Sequence, residues 1–382
     1  MSRPLEGVLV VDFSQFLAGP YASLRLQDLG ARVIKVENPI GGDLCRHLYL
    51  SNTWLDGDST LFHAINRGKE SIALDLKSEE GSAMARALAA KGDVVIQNFR
   101  PGVIDRLGLD YKTLKSLNPA VVYGSISGYG PEGPWKDLPG QDLLAQARSG
   151  IMWLSGNHDD GPVPVGLPIA DLLAGATLAQ GLLAGLYKQV KQGKGTLVET
   201  SLLECLVDAQ FELLTTYFNN GGILPQREME GSAHAYLSAP YGVYETHQGQ
   251  LALAMTPLPE LAEKLGLKDL LPFSHDPKAA FSRRAEVRGI ISRHFRTNTA
   301  DHWERELIGK GIWCAKVLSW PEFLSSESFI ALNMISSVGG DDIETHKFAR
   351  SPLRLNGQRM EVYEKGPRLN ADFAAICEEF LA

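Results

Sequence analysis

The chain has 382 residues, 44% of them hydrophobic and 21% charged, with a formal net charge of -8 at pH 7. That length holds two domains and a large core, and the negative balance argues against nucleic acid or an anionic membrane as a general partner, leaving a small molecule. Four cysteines (Cys45, Cys205, Cys314, Cys377) lie far apart without a C-x-x-C pair, which speaks against a zinc site or a disulfide scaffold and for a reducing, cytoplasmic compartment. Met1 to Gly7 carries no long apolar core of a leader, and no uninterrupted apolar run approaches a membrane span.

Val8 to Phe13 reads as a short apolar strand, Ser14 to Pro20 as a loop, Tyr21 to Gly30 as a helix and Arg32 to Glu37 as a second strand, one βαβ unit. No G-x-G-x-x-G follows the first strand, so a dinucleotide cofactor is not indicated. Asn38 to Asp43 is a turn by its Pro and Gly content and leads through Arg46 into a polar stretch ending at Thr60. Then the alternation resumes, with strands over Ser71 to Leu76, Asp93 to Gln97 and Ala120 to Ile126. Between them lie a helix over Glu79 to Lys91 and one or two helices over Val103 to Leu117. Strands alternating with helices give a mostly parallel, doubly wound sheet, whose ligand site belongs at the carboxyl ends of the strands.

Basic residues gather near those ends. Asn66-Arg67-Gly68-Lys69 precedes one strand, and Asn98-Phe99-Arg100-Pro101-Gly102 follows another and enters a helix containing Arg106. Such a cluster beside a helix start suits phosphate, although each side chain taken singly reads more simply as a solvated surface charge. Ser127 to Trp135 is too rich in Gly and Pro for regular structure and reads as a functional surface loop, followed by Gly140-Gln141-Asp142, a helix to Gly150 and a turn at Gly156 to Pro162. In Gly166 to Gly175 the apolar positions have helical spacing and Pro168 suits a first turn, which puts Asp171 at the opening of a buried helix. A carboxylate there is either a group paired with the helix dipole or a nucleophile that is ionised at neutral pH and needs no general base. Spacing does not choose between them.

After Gly195 the sequence predicts a strand over Thr196 to Thr200 and one long helix over Ser201 to Phe218; Asn219 to Gly222 breaks the pattern. A hairpin over Val243 to Ala254 and helices over Leu258 to Leu265, Ala279 to Phe295 and Ala300 to Lys310 follow, then a tail with a turn at Gly339-Gly-Asp-Asp and a last helix over Asn370 to Leu381. The expected division is a large α/β domain over 1–218, a linker and small α+β domain over 219–325, and a C-terminal return to the large domain over 326–382. Neither internal repeats nor low-complexity tracts are present.

At this point the chain resembles the family III CoA-transferases, of the formyl-CoA transferase and carnitine-CoA transferase type, whose fold is shared with α-methylacyl-CoA racemase. The resemblance is carried by Val11-Asp-Phe with Ala18-Gly-Pro20, Gly30 to Glu37, Gly42-Asp43, Asn66 to Lys69, Asn98 to Gly102 with Arg106-Leu-Gly108, Ser127 to Gly130, Asp171 with Gly175, and Gly193-Lys-Gly195 with Glu199. It implies a Rossmann-like large domain plus a smaller α+β domain in an interlocked homodimer. It also implies CoA transfer from an acyl-CoA to a carboxylic acid through an aspartyl anhydride and an aspartyl-CoA thioester on Asp171, with coenzyme A as substrate and neither a cofactor nor a metal. The CoA contacts it implies are Ala18, Lys69, Asn98, Phe99 and Arg106. Leu17 stands where the formyl-CoA transferase type has Gln, Asn38 where it has Arg, and Gly231 to Pro240 lacks that type's tetraglycine loop, so formate or oxalate specificity is not inherited. Gln141 occupies the position of the racemase His, thirty residues before Asp171, and is expected to orient Asp171 or an acyl oxygen. Since a neutral amide takes no proton from an acyl α-carbon, transferase is favoured over racemase, with a non-catalytic CoA-binding partner subunit as the other alternative.

Overall fold

The computed structural model describes residues 3–48, 53–274, 277–339, 345–361 and 364–381. The N-terminal half runs β1 (Leu9–Asp12), α1 (Ala18–Asp28), β2 (Arg32–Glu37), a small hairpin β3 (Trp54–Leu55) and β4 (Asp58–Ser59), α2 (Thr60–Asn66), β5 (Glu70–Ala73), α3 (Glu79–Lys91), β6 (Val94–Gln97), α4 (Val103–Arg106), α5 (Tyr111–Leu117), β7 (Val122–Ser127), α6 (Asp142–Ser149), α7 (Ile169–Gln192), β8 (Thr196–Ser201) and α8 (Leu202–Ala209). Side-chain oxygens of Ser59, Ser78 and Asp110 accept from the first-turn amides of α2, α3 and α5, so three of these helices start where the sequence supplies a cap.

Six strands form one parallel sheet in the order β5-β2-β1-β6-β7-β8. Strand order reverses between β1 and β6, which makes the carboxyl ends of those two strands the topological switch point. β1 and β6 are buried at every position, as strands covered on both faces must be. At 24 residues α7 is long and apolar enough to cross a bilayer by length and composition, whereas the sequence reading saw no such run. In the fold it is a core helix: a Cβ at Gly181 or Gly185 would strike Val198 of β8 or Val122 of β7.

Two compact units divide the chain, Met1–Arg148 with Leu167–Ala209 and Ala331–Ala382 in the first and Ser149–Gly166 with Gln210–Ile330 in the second. The second holds α9 (Phe211–Asn219), β9 (Gly242–Glu245), β10 (Gln250–Leu253), the helices α10 (Leu258–Leu265), α11 (Leu271–Ser274), α12 (Pro277–Ser282), α13 (Arg284–Phe295) and α14 (Ala300–Gly309), then β11 (Cys314–Lys316), α15 (Trp320–Ser325) and α16 (Glu327–Leu332), which runs across the boundary. Its antiparallel sheet β11-β10-β9 packs Tyr244, Leu251 and Leu253 with Phe295 and Trp303.

This division corrects the expected boundaries at 218 and 325. Residues 149–166 join the second unit because Arg227 donates to the carbonyls of Ser155 and, at 3.3 Å, His158. The long helix expected over Ser201 to Phe218 is two helices, α8 and α9. Gln210 leaves the helical conformation (φ -98°, ψ 14°), and its side-chain amide donates to the Ser149 carbonyl at 3.2 Å.

The tail supplies β12 (Ile335–Val338), β13 (His346–Ala349), β14 (Arg354–Leu355), β15 (Gln358–Arg359) and α17 (Phe373–Phe380). Apart from Gly339, the expected Gly339-Gly-Asp-Asp turn lies outside the described residues. The end of the tail blunts the open edge of the large sheet: Asp372 and Asn370 each accept a main-chain N–H of β5, from Ser71 and Ala73 at 2.8 Å, and Ile376 enters the core.

Candidate active site

The switch point is built on buried charge. Asp12 closes β1 and accepts from the amide of Ser14 at 2.9 Å and from the hydroxyls of Ser14 and Ser23. Lys69 Nζ lies 3.2 Å from Asp12 Oδ2 and also donates to Ser23 Oγ (2.7 Å), Asn66 Oδ1 (2.9 Å) and the Pro20 carbonyl (3.0 Å). Lys35, in the middle of β2, pairs with Asp43 at 2.8 Å and donates to the Ser14 carbonyl at 2.8 Å. Burial by itself disfavours the charge on Lys35, but the carboxylates of Asp43, Asp12 and Glu37 outweigh it and hold its pKa above the ordinary value. For Lys69 burial wins: with the repulsion of Lys35 added, its pKa falls to about 8 despite Asp12.

This network fixes the loop between β1 and α1. Asn98, following β6, clasps Gln15 from both sides: its Oδ1 accepts the Gln15 amide and its Nδ2 donates to the Gln15 carbonyl, each at 2.8 Å. Asp43 Oδ1 accepts the Phe16 amide at 3.1 Å. Phe16 is thereby held at φ +62°, where an L side chain is strained, and its ring is 47% exposed.

Asp171 sits in the first turn of α7, and a Cβ on Gly175, one turn along, would collide with the Ala18 carbonyl, so α7 crosses α1 close to that loop. Pro168 is the residue before the helix and supplies no side-chain cap. The cap comes from α6: Asp142 Oδ1 accepts the amides of Ala170 (2.7 Å) and Asp171 (3.3 Å), and its Oδ2 accepts from Gln146 Nε2 (2.6 Å). Burial first, and then the Asp142 charge, push the Asp171 carboxyl up to about 7. That corrects the expectation of a carboxylate fully ionised at neutral pH. Among the described residues no cation forms an ion pair with it.

Other expected site residues fall differently. Gln141 is exposed just before α6, where its carbonyl accepts the Ala145 amide, and no hydrogen bond joins it to Asp171; Asp142 is the residue set against that helix. Lys69 is sealed from solvent with four acceptors around its ammonium, so it supports the loop and is not placed to pair with a phosphate. Asn98 spends its amide on Gln15, Ala18 is buried beneath α7, and the Phe99 ring packs partly against the core. Arg106 and Arg100 are exposed on the segment that leaves the carboxyl end of β6. Asp12, Lys35 and Asp43 enter the sequence analysis only inside expected elements and the motifs of the resemblance and carry no site role there, although a lysine inside the apolar run of β2 is a visible signal.

Past β7, a Cβ on either Gly128 or Gly140 would collide with the other residue, so the two backbones cross in contact and pinch off the loop between them. Arg148 of α6 packs on that loop, its guanidinium 4.8 Å from the Tyr129 ring centroid and 5.0 Å from that of Trp135. Among the described residues no group of three His, Cys, Asp or Glu side chains is arranged to hold a metal, and all four cysteines are free.

A doubly wound α/β sheet, here with a carboxyl that has no cation partner among the described residues at the head of a core helix, belongs to the class of folds that bind small-molecule ligands at the switch point. Within that class the chain belongs to the family III CoA-transferases, whose family model matches residues 5–373. It is 31% identical to succinate–glutarate CoA-transferase of Agrobacterium fabrum, over 98% of this chain and 95% of the relative, and 32% identical to succinyl-CoA–D-citramalate CoA-transferase of Chloroflexus aurantiacus, over 99% and 94%. A CAIB/BAIF family protein from Brucella suis superposes with a TM-score of 0.85 at 31% identity over both whole chains. Rv3272 from Mycobacterium tuberculosis does so with 0.84 at 28%, over 100% of this chain and 99% of that one. The protein is thus an enzyme of acyl-CoA and carboxylate chemistry.

Proposed function

We propose that the enzyme moves CoA between a short dicarboxylic acyl-CoA and a second carboxylic acid through covalent intermediates on Asp171. The observation that carries this reading is the placement of Asp171: partly buried, without a cation partner among the described residues, and facing the Asp142 charge. Such a carboxylate is poorly stabilised as an anion, and conversion to a neutral acyl derivative removes the burden, so covalent chemistry is favoured at this residue.

An Asp171 oxygen attacks the thioester carbonyl carbon, the C–S bond breaks, and the electron pair leaves on CoA thiolate. The thiolate attacks the Asp171 carboxyl carbon, forming the aspartyl-CoA thioester and releasing the first acid as its carboxylate. The acceptor carboxylate attacks that thioester, giving a new anhydride and thiolate again; the thiolate takes the acceptor's acyl group and Asp171 is restored. Each step exchanges one activated acyl bond for another, so no external energy source enters. The clamped main chain at Ser14 to Leu17 is suited to line the thioester without reorganising, and the exposed Arg106 and Arg100 suit the CoA phosphates.

The dicarboxylate assignment rests on the relatives, which are named for succinate, glutarate and D-citramalate. A second copy of the chain fits α9, which buries none of its residues while Phe211 and Phe218 are 68% and 75% exposed. The test is trapping: protein incubated with succinyl-CoA, quenched with hydroxylamine and digested should carry a hydroxamate at Asp171. An unmodified Asp171 peptide after turnover refutes the covalent route.

A further inference from the structure

The first unit contains a cationic cavity that the acyl-transfer site does not use. Its volume is about 540 Å³, and four of its lining residues are Arg3, Arg350, Arg354 and Arg359, with Glu361 as the one acidic side chain among the described lining residues. Arg3 packs against Gly30, just before β2 begins, which places this cavity toward the amino end of the strands; the residues around Asp171 lie at their carboxyl ends.

Three observations show that Arg350, Arg354 and Arg359 are incompletely satisfied by the described residues. First, β14 and β15 form a hairpin whose two-residue turn, Asn356-Gly357, has φ of +51° and +80°, and whose register sets Arg354 directly opposite Arg359. Like charges at facing positions destabilise an antiparallel pair. Second, Nε of Arg350 and of Arg359 are buried without a hydrogen-bond partner among the described residues, a costly state for a charged donor. Third, the compensation is thin: Arg350 Nη1 meets Glu361 Oε1 at 3.1 Å, while Arg359 Nη1 has only the Ser351 and Pro352 carbonyls, at 3.2 and 3.3 Å. Among the described lining residues, Arg350, Arg354 and Arg359 set three guanidinium groups against one carboxylate on the wall of a cavity large enough for a small metabolite. Planar forks that pair side by side with oxyanions are the usual way to hold phosphate.

We propose that this cavity binds a small polyanion bearing two or more adjacent phosphate groups, at a site separate from the acyl-transfer centre. The bound oxyanions occupy the space between Arg354 and Arg359 and accept from the guanidinium Nη groups that face the cavity.

Tripolyphosphate is the probe. It is titrated by calorimetry into the full-length protein saturated with CoA, so that the phosphate contacts of CoA are already filled. One site per chain is expected, weakened at least tenfold in Arg354→Gln/Arg359→Gln and weakened by added salt. Tripolyphosphate should raise the wild-type melting temperature and leave that of the double variant unchanged. Without the probe the double variant should melt no lower than wild type, because the facing charges are gone. If the double variant does not fold, Arg350→Gln, outside the hairpin, is held to the same tenfold loss. Citrate at the same ionic strength should bind at least threefold more weakly, and equal or tighter citrate binding refutes the phosphate assignment. Absence of binding below millimolar concentration, or full affinity in the folded variant, rules out the site, as does a double variant that folds but melts below wild type.

Discussion

Asp142 holds Asp171 by the main chain and opposes it by charge. Its Oδ1 accepts the Asp171 amide at 3.3 Å, and its negative charge adds to burial in pushing the Asp171 carboxyl up to about 7. Capping and pKa tuning are thus done by one side chain. If ionised Asp171 is the attacking group, kcat/KM should climb between pH 5 and pH 8 with a midpoint near 7. Asp142→Asn keeps an oxygen acceptor for the cap but removes the charge, so the midpoint should move down while the fold persists. An unmoved midpoint in the variant would mean that Asp142 does not tune Asp171.

Stability offers an independent reading of the same group. A carboxyl at about 7 when folded and about 3.9 when unfolded keeps its proton in the native state over a window where the unfolded chain has lost it. Its contribution therefore falls as pH rises from about 4, and the full penalty is present above about 7. Asp171→Asn should accordingly stabilise the protein at pH 8, by on the order of 2 kcal/mol after allowance for partial exposure, and not at pH 4. The same variant should lose CoA exchange by several orders of magnitude, as should Asp171→Ala, while CoA affinity persists. Chemical denaturation at the two pH values and steady-state turnover provide the measurements.

Lys69 and Arg106, grouped together on sequence, should behave in opposite ways. Lys69→Met strands Asp12 in a buried setting and should cost about 3–5 kcal/mol of stability. Arg106→Ala, at an exposed position, should change stability by less than about 0.5 kcal/mol yet weaken CoA at least tenfold, and dephospho-CoA less. Equal loss for both ligands would remove Arg106 from phosphate recognition.

Racemase chemistry can be tested directly. A carboxylate beside Asp171 looks like a second base, but both Asp142 oxygens are engaged, by two amides and by Gln146. A 2-methylacyl-CoA incubated with the enzyme in deuterated water should take up no α-deuterium at a catalytic rate. Rapid uptake that Asp142→Asn abolishes would favour the racemase reading.

Much of the first unit was legible because parallel strands buried on both faces read as apolar runs: Val94 to Gln97 and the helix α3 lie within one residue of where the pattern puts them, and the span Val103 to Leu117, read as one or two helices, holds α4 and α5. The break at Gln210 was not, since it depends on a side chain reaching a carbonyl 61 residues away in sequence. The site shows the same divide. Asp171 stood out because a carboxylate opening an apolar helix is conspicuous. Which neighbour faces it, Gln141 or Asp142, was decided by the rotation of α6, and a one-residue difference there exchanges an amide for a carboxylate. Lys69 misled for a related reason: a lysine bordered by Asn66 and Arg67 looks solvated until Asp12 and Ser23 are brought to it from elsewhere in the chain.

The contact between Gly128 and Gly140 makes the segment between them a separable insert. Because the two ends already touch, a longer or shorter excursion leaves the anchoring of β7 and α6 unchanged and alters the closure entropy only with the logarithm of its length. The exposed residues 131–139 can therefore be exchanged as a cassette, with Arg148 and the buried Tyr129 left behind as the perch on which new aromatic residues would stack. Either glycine, replaced by alanine, would force the neck open and end that independence.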